Sequence, residues 1–270
     1  MLTVEGRDTR LRVSPRARSL AAARGVSLAG LKGSGPAGRI IVRDIEAAAA
    51  AGATKPEAAS LPSSGRLVLS IFADASELES LHARLHDSPL ELGLRNITID
   101  DMVLFAVTRA LPRHLELNVR LDGGAVKWCD SIALGFTVDT PRGQLVPVIR
   151  SAERLSLSGL SRECARLAQR SREGTASPGD LSGATFTVTS FGAKGIETVI
   201  PDLGGFPPAG LGVGAIALRP VRGSDGAVVH IPHVCLSLAF DRHVVDSGRG
   251  ASFLQTLAGM LAHIRLVMAQ

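Results

Sequence analysis

The chain has 270 residues, 45% of them hydrophobic and 20% charged, which is the balance of a folded globular protein and argues against disorder. Aromatic residues make up 3%, with one Trp and no Tyr, so the core is built from Ala, Val, Leu and Ile, and the stacking platforms needed for single-stranded nucleic acid are not expected. The net charge of +5, from 30 basic and 25 acidic side chains, is an arginine excess that suits an anionic small molecule or an acidic partner, and equally a GC-rich coding bias without functional meaning.

Ser14-Pro15 reads as a helix cap followed by proline at the first helical position, with Ala17, Leu20 and Ala21 on one face and Gly25 as the stop. Val26, Leu28 and Leu31 are apolar and precede the loop Gly33-Ser34-Gly35-Pro36-Ala37-Gly38; a second short helix is expected over 42–47. A phosphate-binding loop is a poor reading of GSGPAG, because no strand precedes it and no Lys-Ser/Thr pair follows. Residues 48–65 are Ala, Pro and Ser and read as a linker, whose first alanines can extend the preceding helix.

From Arg66 onward strands and helices alternate in an α/β manner. The spacing predicts a strand over 67–72, and a helix capped by Asp74 or Ser76 that carries Leu78, Leu81 and Leu85. A second helix opens at 97–100 and presents Met102, Val103, Phe105, Ala106, Ala110 and Leu111. A hairpin turn at Asp122-Gly123-Gly124 follows, then strands over 132–139 and 145–149 around the turn Thr140-Pro141-Arg142-Gly143. A polar-faced helix over 156–173, strands over 185–189, 211–217 and 234–240, and a helix over 252–265 complete the chain.

Cys129, Cys164 and Cys235 stand far apart, without metal-ligand or disulfide spacing, so no metal site and a reducing compartment are expected. No apolar run is long enough for a bilayer and MLTVEGRDTR is not a signal peptide, so no membrane partner and a cytoplasmic location are expected.

Two segments carry chemistry. TFTVTSFG, residues 185–192, holds Thr189 and Ser190 in succession, and consecutive strand side chains point to opposite faces unless the strand ends there. SLAFDRHVVDSG, residues 237–248, packs His243 with Asp241 and Asp246 at the end of a buried strand, where a carboxylate can fix the tautomer of a histidine base. The other histidines (His82, His86, His114, His230, His233 and His263) read mostly as surface residues.

With these residues in view, SPRARSLAAARGVSLAGLKGSGPAGRIIVRDI resembles the peripheral subunit-binding domain of dihydrolipoamide acyltransferases, on the pattern of Gly33, Gly35, Gly38, Arg39, Ile40 and Asp44. VDTPRGQLVPVI, GATFTVTSFG and LSLAFDRHVVDSGRGASFLQTL resemble the catalytic domain of the same family. The resemblance implies a small helical subunit-binding domain at 10–47, the linker at 48–65, and a catalytic domain at 66–270. The implied fold of the last is chloramphenicol-acetyltransferase-like: α/β, a mixed sheet flanked by helices. It implies a homotrimer with sites between subunits, acetyl-coenzyme A as co-substrate, and a docking protein held through Arg18 and Arg39. By position, Thr189 is the oxyanion donor, Asp246 the organising acid, and Thr189, Ser190 and Gly192 the coenzyme contacts.

Three departures qualify this expectation. The family reads Asp-His-Arg where this chain has Asp241-Arg242-His243, so the base position holds Arg242, and a guanidinium does not accept protons. Either a local bulge brings His243 into the site, or the usual mechanism is replaced. Ser247 stands where the family has Gly, with Gly248 one later, which favours a shifted register. The linker runs into Arg66 without the family's arm helix, so a large cubic core is not expected. With no lipoyl-lysine hairpin visible, the sequence points to a small-molecule acceptor, as in the stand-alone tetronate O-acetyltransferases of antibiotic biosynthesis. A lipoyl dithiol within a 2-oxo acid dehydrogenase complex and a catalytically silent trimeric scaffold are the alternatives.

Overall fold

The structure, a computed structural model, describes residues 13–24, 31, 33–51, 65–122, 125–204 and 207–269. Gly25, Val26, Leu28, the tip of the turn at Gly123-Gly124, and linker residues 52–64 lie outside the described residues. The chain divides into two compact units, Met1–Leu61 and Pro62–Gln270.

The small unit contains helices α1 (Pro15–Arg24) and α2 (Val42–Ala51) with a short 3-10 turn at Pro36–Gly38 between them. The Ser14 hydroxyl caps α1 by accepting the Ala17 amide at 3.2 Å. Ala17, Ala21, Ile40 and Ile45 form a small core under Val13, Leu20 and Leu31. Helix α2 runs into the alanine stretch, since alanine costs least in a helix. Asp44 ties the loop to this helix: its Oδ2 accepts the amides of Ser34 and Ile41, each at 2.9 Å. The Ile41 amide, then the Ser34 hydroxyl and amide, hold the Asp44 carboxyl below its ordinary value of 3.8. A depressed native pKa means stability that is present above 3.8 and lost as acid titrates the carboxyl below it. The amide signals of Ser34 and Ile41 in the full chain are therefore expected to lose protection on acidification in that range, and Asp44→Asn is expected to flatten the dependence.

The large unit is built on a six-stranded mixed sheet in the order β1-β10-β9-β8-β4-β7. β1 (Arg66–Asp74) pairs antiparallel with β10 (Val228–Asp241), and β10 antiparallel with β9 (Ala209–Arg222). β9 lies parallel to β8 (Phe186–Ser190), β8 parallel to β4 (Leu134–Phe136), and β4 antiparallel to β7 (Val148–Ile149). Two hairpins stand apart: β2 (Val119–Asp122) with β3 (Ala125–Trp128), and β5 (Val138–Thr140) with β6 (Gly143–Leu145). The strand expected over 132–139 is thus two short strands, and those around 211–217 and 234–240 are each 14 residues long.

Strand alternation divides the sheet into two unlike faces. Leu236, Leu238 and Phe240 of β10, Leu211 and Val213 of β9, and Phe186 and Val188 of β8 face one way and are buried. They share one core with Leu78 of α3 (Ser76–His86), Phe105 of α4 (Ile99–Ala110), Leu160 of α5 (Leu157–Glu173), Phe253 and Leu257 of α6 (Ser247–Ala262), and Ile264 of α7 (Ile264–Met268). Each such side chain removed from water contributes about 1.5–3 kcal/mol. The single helix expected over 252–265 starts five residues earlier and breaks at His263.

The opposite face is stripped of bulk. Gly210, Gly212 and Gly214 alternate along β9, level with Thr187, Thr189 and the end of β8. A Cβ on Gly212 would fall on the Val199 carbonyl, one on Gly214 on the Glu197 carbonyl, and one on Gly210 would lie 2.7 Å from Thr187 Oγ1. These glycines let the segment 197–203 lie directly on the strand, and that segment forms a wall of the site.

Candidate active site

Thr189 is the last but one residue of β8, and its side chain is turned to the glycine face. It opens on a cleft of about 690 Å³ whose lining includes Thr137, Gln144, Thr187, Phe191, Val199 and Leu203. The cleft mixes hydroxyl groups with aliphatic walls, the lining of a small-molecule site.

Ser190 does not join it. As the next residue along the strand it faces the helices, where its hydroxyl donates to Asp100 Oδ1 at 2.8 Å. The strand continues far enough for alternation to hold, so the expectation that Ser190 shares the Thr189 site is corrected. Burial pushes the Asp100 carboxyl up, against the lowering effect of the Ser190 hydroxyl. The neighbouring Asp101 closes a capping box with Thr98 and accepts the Ser161 hydroxyl at 2.8 Å. These groups line a second pocket of about 470 Å³ between α4, α5 and the end of β8. Cys164 in its wall is a buried thiol whose pKa is pushed strongly up, so it is no nucleophile there. Gly192 starts a 3-10 turn, and a Cβ there would lie 2.8 Å from the Gly214 carbonyl, so its role in this chain is close passage of the turn over β9.

Of the two alternatives left open for Arg242-His243, a bulge in the strand pairing is not the one found. Pairing of β1 with β10 is continuous from Asp74↔His233 to Arg66↔Asp241, and the register shift between β10 and β9 lies far back, between Val234 and Leu236. The chain leaves Asp241 in a turn instead, with the amides of Val244 and Val245 donating to the Asp241 carbonyl at 3.0 and 2.9 Å. In a turn, strict alternation no longer governs where Arg242 and His243 point. Arg242 is exposed; its amide donates to the Gly65 carbonyl at 2.8 Å, and among the described residues nothing bonds its guanidinium.

His243 is held by Asp241. Asp241 Oδ1 accepts the His243 amide at 2.9 Å and ring Nδ1 at 2.8 Å, leaving the imidazole 46% exposed. Asp246, the other carboxylate of this segment and the organising acid that the resemblance implies, caps α6, with Oδ1 accepting the Gly248 amide at 2.8 Å. The signal for this assignment is local, because an Asp two residues before a His forms an Asx-type turn readily. His114, expected on the surface, is buried; its Nε2 lies 2.9 Å from Thr256 Oγ1, and desolvation lowers its pKa. Arg18 and Arg39 of the small unit are both exposed. Among the described residues no three His, Cys, Asp or Glu side chains converge as metal ligands, and no helix is long and apolar enough to cross a membrane.

The Thr189 and His243 groups are separated within one chain. Thr189 is level with Gly212 and Ser237; Asp241 lies four residues further along β10 and two strands across. At ~3.3 Å per residue and ~4.8 Å per strand, the Cα atoms of Thr189 and Asp241 are roughly 16 Å apart. By alternation both side chains belong to the glycine face.

Comparison with known proteins gives this geometry its context. The family model of the 2-oxoacid dehydrogenases acyltransferase catalytic domain matches residues 58–269, and that of the e3 binding domain matches residues 11–46. The chain is 33% identical over 272 residues to the dihydrolipoyllysine-residue acetyltransferase component of the acetoin cleaving system of Bacillus subtilis, covering 92% of this chain and 68% of that protein. It is 36% identical over 206 residues to the corresponding component of the Mycobacterium bovis pyruvate dehydrogenase complex, covering 73% of this chain but 37% of that longer protein. Among solved structures, Azotobacter vinelandii dihydrolipoamide acetyltransferase, studied for the roles of a serine, a histidine and an asparagine in its mechanism, superposes with a TM-score of 0.70 at 30% identity, over 75% of this chain and 84% of that one. A chloramphenicol acetyltransferase superposes with a TM-score of 0.52 at 14% identity over 73% and 88%, which shows the shared fold. The chain therefore belongs to the 2-oxoacid dehydrogenase acyltransferase family, carrying its catalytic domain and, ahead of it, an e3 binding domain.

Proposed function

We propose that this chain transfers an acyl group between coenzyme A and a dihydrolipoyl thiol, at sites formed where two copies meet in a homotrimer. One observation carries the reading: Thr189, in its hydroxyl-lined cleft, and Asp241, which holds His243, belong to one face of one sheet, yet their Cα atoms lie roughly 16 Å apart. Acyl transfer needs base and oxyanion donor within about 3 Å of the reacting atoms. A neighbouring copy that brings its His243 over the Thr189 cleft meets that need.

The chemistry follows from the groups. His243 Nε2 takes the acceptor S–H proton as the sulfur attacks the thioester carbonyl carbon. Thr189 Oγ donates to the oxyanion that develops. The tetrahedral intermediate then collapses by breaking the bond to the coenzyme A sulfur, and that sulfur recovers the proton from His243. An aimed donor at the oxyanion supplies about 2.7–4 kcal/mol and a placed base a factor of roughly 10² to 10⁴. Exposed Arg18 and Arg39 give the small unit a cationic surface for an acidic face of a partner enzyme.

An alcohol acceptor of the tetronate type is the weaker reading, because the relatives named above are dihydrolipoyllysine-residue acetyltransferases. The test is purified protein with acetyl-coenzyme A offered dihydrolipoamide or a tetronate primary alcohol, following free coenzyme A thiol. Thioester formation on dihydrolipoamide is the expected result. Ester formation alone moves the acceptor to the alcohol. No transfer and no coenzyme A binding by calorimetry leaves a silent scaffold.

A further inference from the structure

We propose that Asp241 and Gly65 form a positioning device that fixes the tautomer and direction of the His243 ring; the inference rests on the acyl-transfer reading above. The Asp241 carboxylate can only accept, so the 2.8 Å contact requires the hydrogen of neutral His243 to sit on Nδ1. The lone pair is then on Nε2, the outer nitrogen, and among the described residues no group bonds it. The same Asp241 oxygen accepts the His243 amide, so backbone and ring are fixed by one acceptor.

Gly65 closes the other side. A Cβ at that position would stand 2.6 Å from both Cε1 and Nδ1 of His243, so that edge of the ring lies close against the backbone just before β1. The charged groups on the surrounding elements are otherwise engaged or turned away. Arg66 of β1 pairs with Asp202 of the loop before β9 at 3.3 Å. Asp246 caps α6, and Arg242 in the same turn is exposed with its guanidinium unbonded among the described residues. Asp241 is thus the one charge in contact with the ring among the described residues. The device also explains how a chain with Arg242 at the family's base position retains an oriented proton acceptor one residue later.

The experiment compares wild type, Asp241→Asn and Gly65→Ala in the acetyl-coenzyme A and dihydrolipoamide assay, with ¹⁵N spectra of the histidine rings. Asn keeps an oxygen for the turn and removes the charge. Asp241→Asn is expected to lower kcat about 10- to 100-fold, to leave KM for acetyl-coenzyme A within about twofold, and to weaken the Nδ1–H preference of the His243 ring, since an amide can turn its NH2 toward Nδ1 where a carboxylate can only accept. Gly65→Ala is expected to lower kcat by displacing the ring, with KM for acetyl-coenzyme A within about twofold. The wild-type spectrum should show the Nδ1–H form for His243, assigned by its loss in His243→Gln. An Asp241→Asn that keeps the wild-type rate, or a wild-type His243 in the Nε2–H form, overturns the inference and leaves the acyl-transfer reading standing. A wild type that acylates no acceptor overturns that reading, and the acceptor role of His243 with it.

Discussion

His243→Ala is expected to lower kcat for thiol acylation by roughly 10² to 10⁴-fold, the range removed with a placed general base. Arg242→Ala is expected to stay within about tenfold of wild type. The contrast is informative because the two residues are adjacent in one turn, both exposed to solvent, and different in proton chemistry. A guanidinium stays protonated throughout the working pH range and has no lone pair to offer. An imidazole held by Asp241 at 2.8 Å has one, on its outer nitrogen. Neither residue belongs to the buried core, so thermal midpoints should move little and loss of rate can be read as loss of chemistry. Added imidazole should restore part of the His243→Ala rate. The opposite ranking would take His243 out of the mechanism.

Much of this architecture was legible from local signals. The polar-faced helix expected over 156–173 is α5, closed by Ser156 accepting the Gly159 amide at 3.2 Å and by Gly174 at φ 74°. Ser14 before Pro15 did the same for α1. The signals failed where local chemistry was ambiguous. Ser247, Gly248 and Gly250 look like a turn, yet they start α6, because Asp246 caps that end and Gly250 fits against the Phe240 ring, where a Cβ would stand 2.8 Å away. His114 has no local mark of burial; its place is set by Thr256 and Phe253, far along the chain. The alternating glycines of β9 are visible in the sequence, but their purpose is not. It depends on a crossing segment thirteen residues earlier and on the pairing with β8. Which aspartate holds His243 likewise follows from the geometry of a turn that a strand-based reading, with its strict alternation, could not supply.

The paired substitutions Thr189→Val and Ser190→Ala separate the two faces of β8. Valine keeps the branched shape of threonine and its fit to a strand, so Thr189→Val removes a hydroxyl and almost nothing else. With the donor gone from the cleft, kcat is expected to fall roughly 10² to 10³-fold, KM for acetyl-coenzyme A to change little, and Thr189→Ser to recover most of the rate. Ser190→Ala should do the reverse. Its hydroxyl serves Asp100, a carboxyl already pushed up by burial, and removing that donor leaves a buried polar group without its partner. The cost is about 1–3 kcal/mol of stability, seen as a lower thermal midpoint, with the rate within about tenfold of wild type. Steady-state kinetics and thermal unfolding on the same four proteins decide the matter. A Ser190→Ala that loses rate as steeply as Thr189→Val would mean that the chemistry lies on the helix side of the sheet, and the 690 Å³ cleft would lose its claim to the thioester.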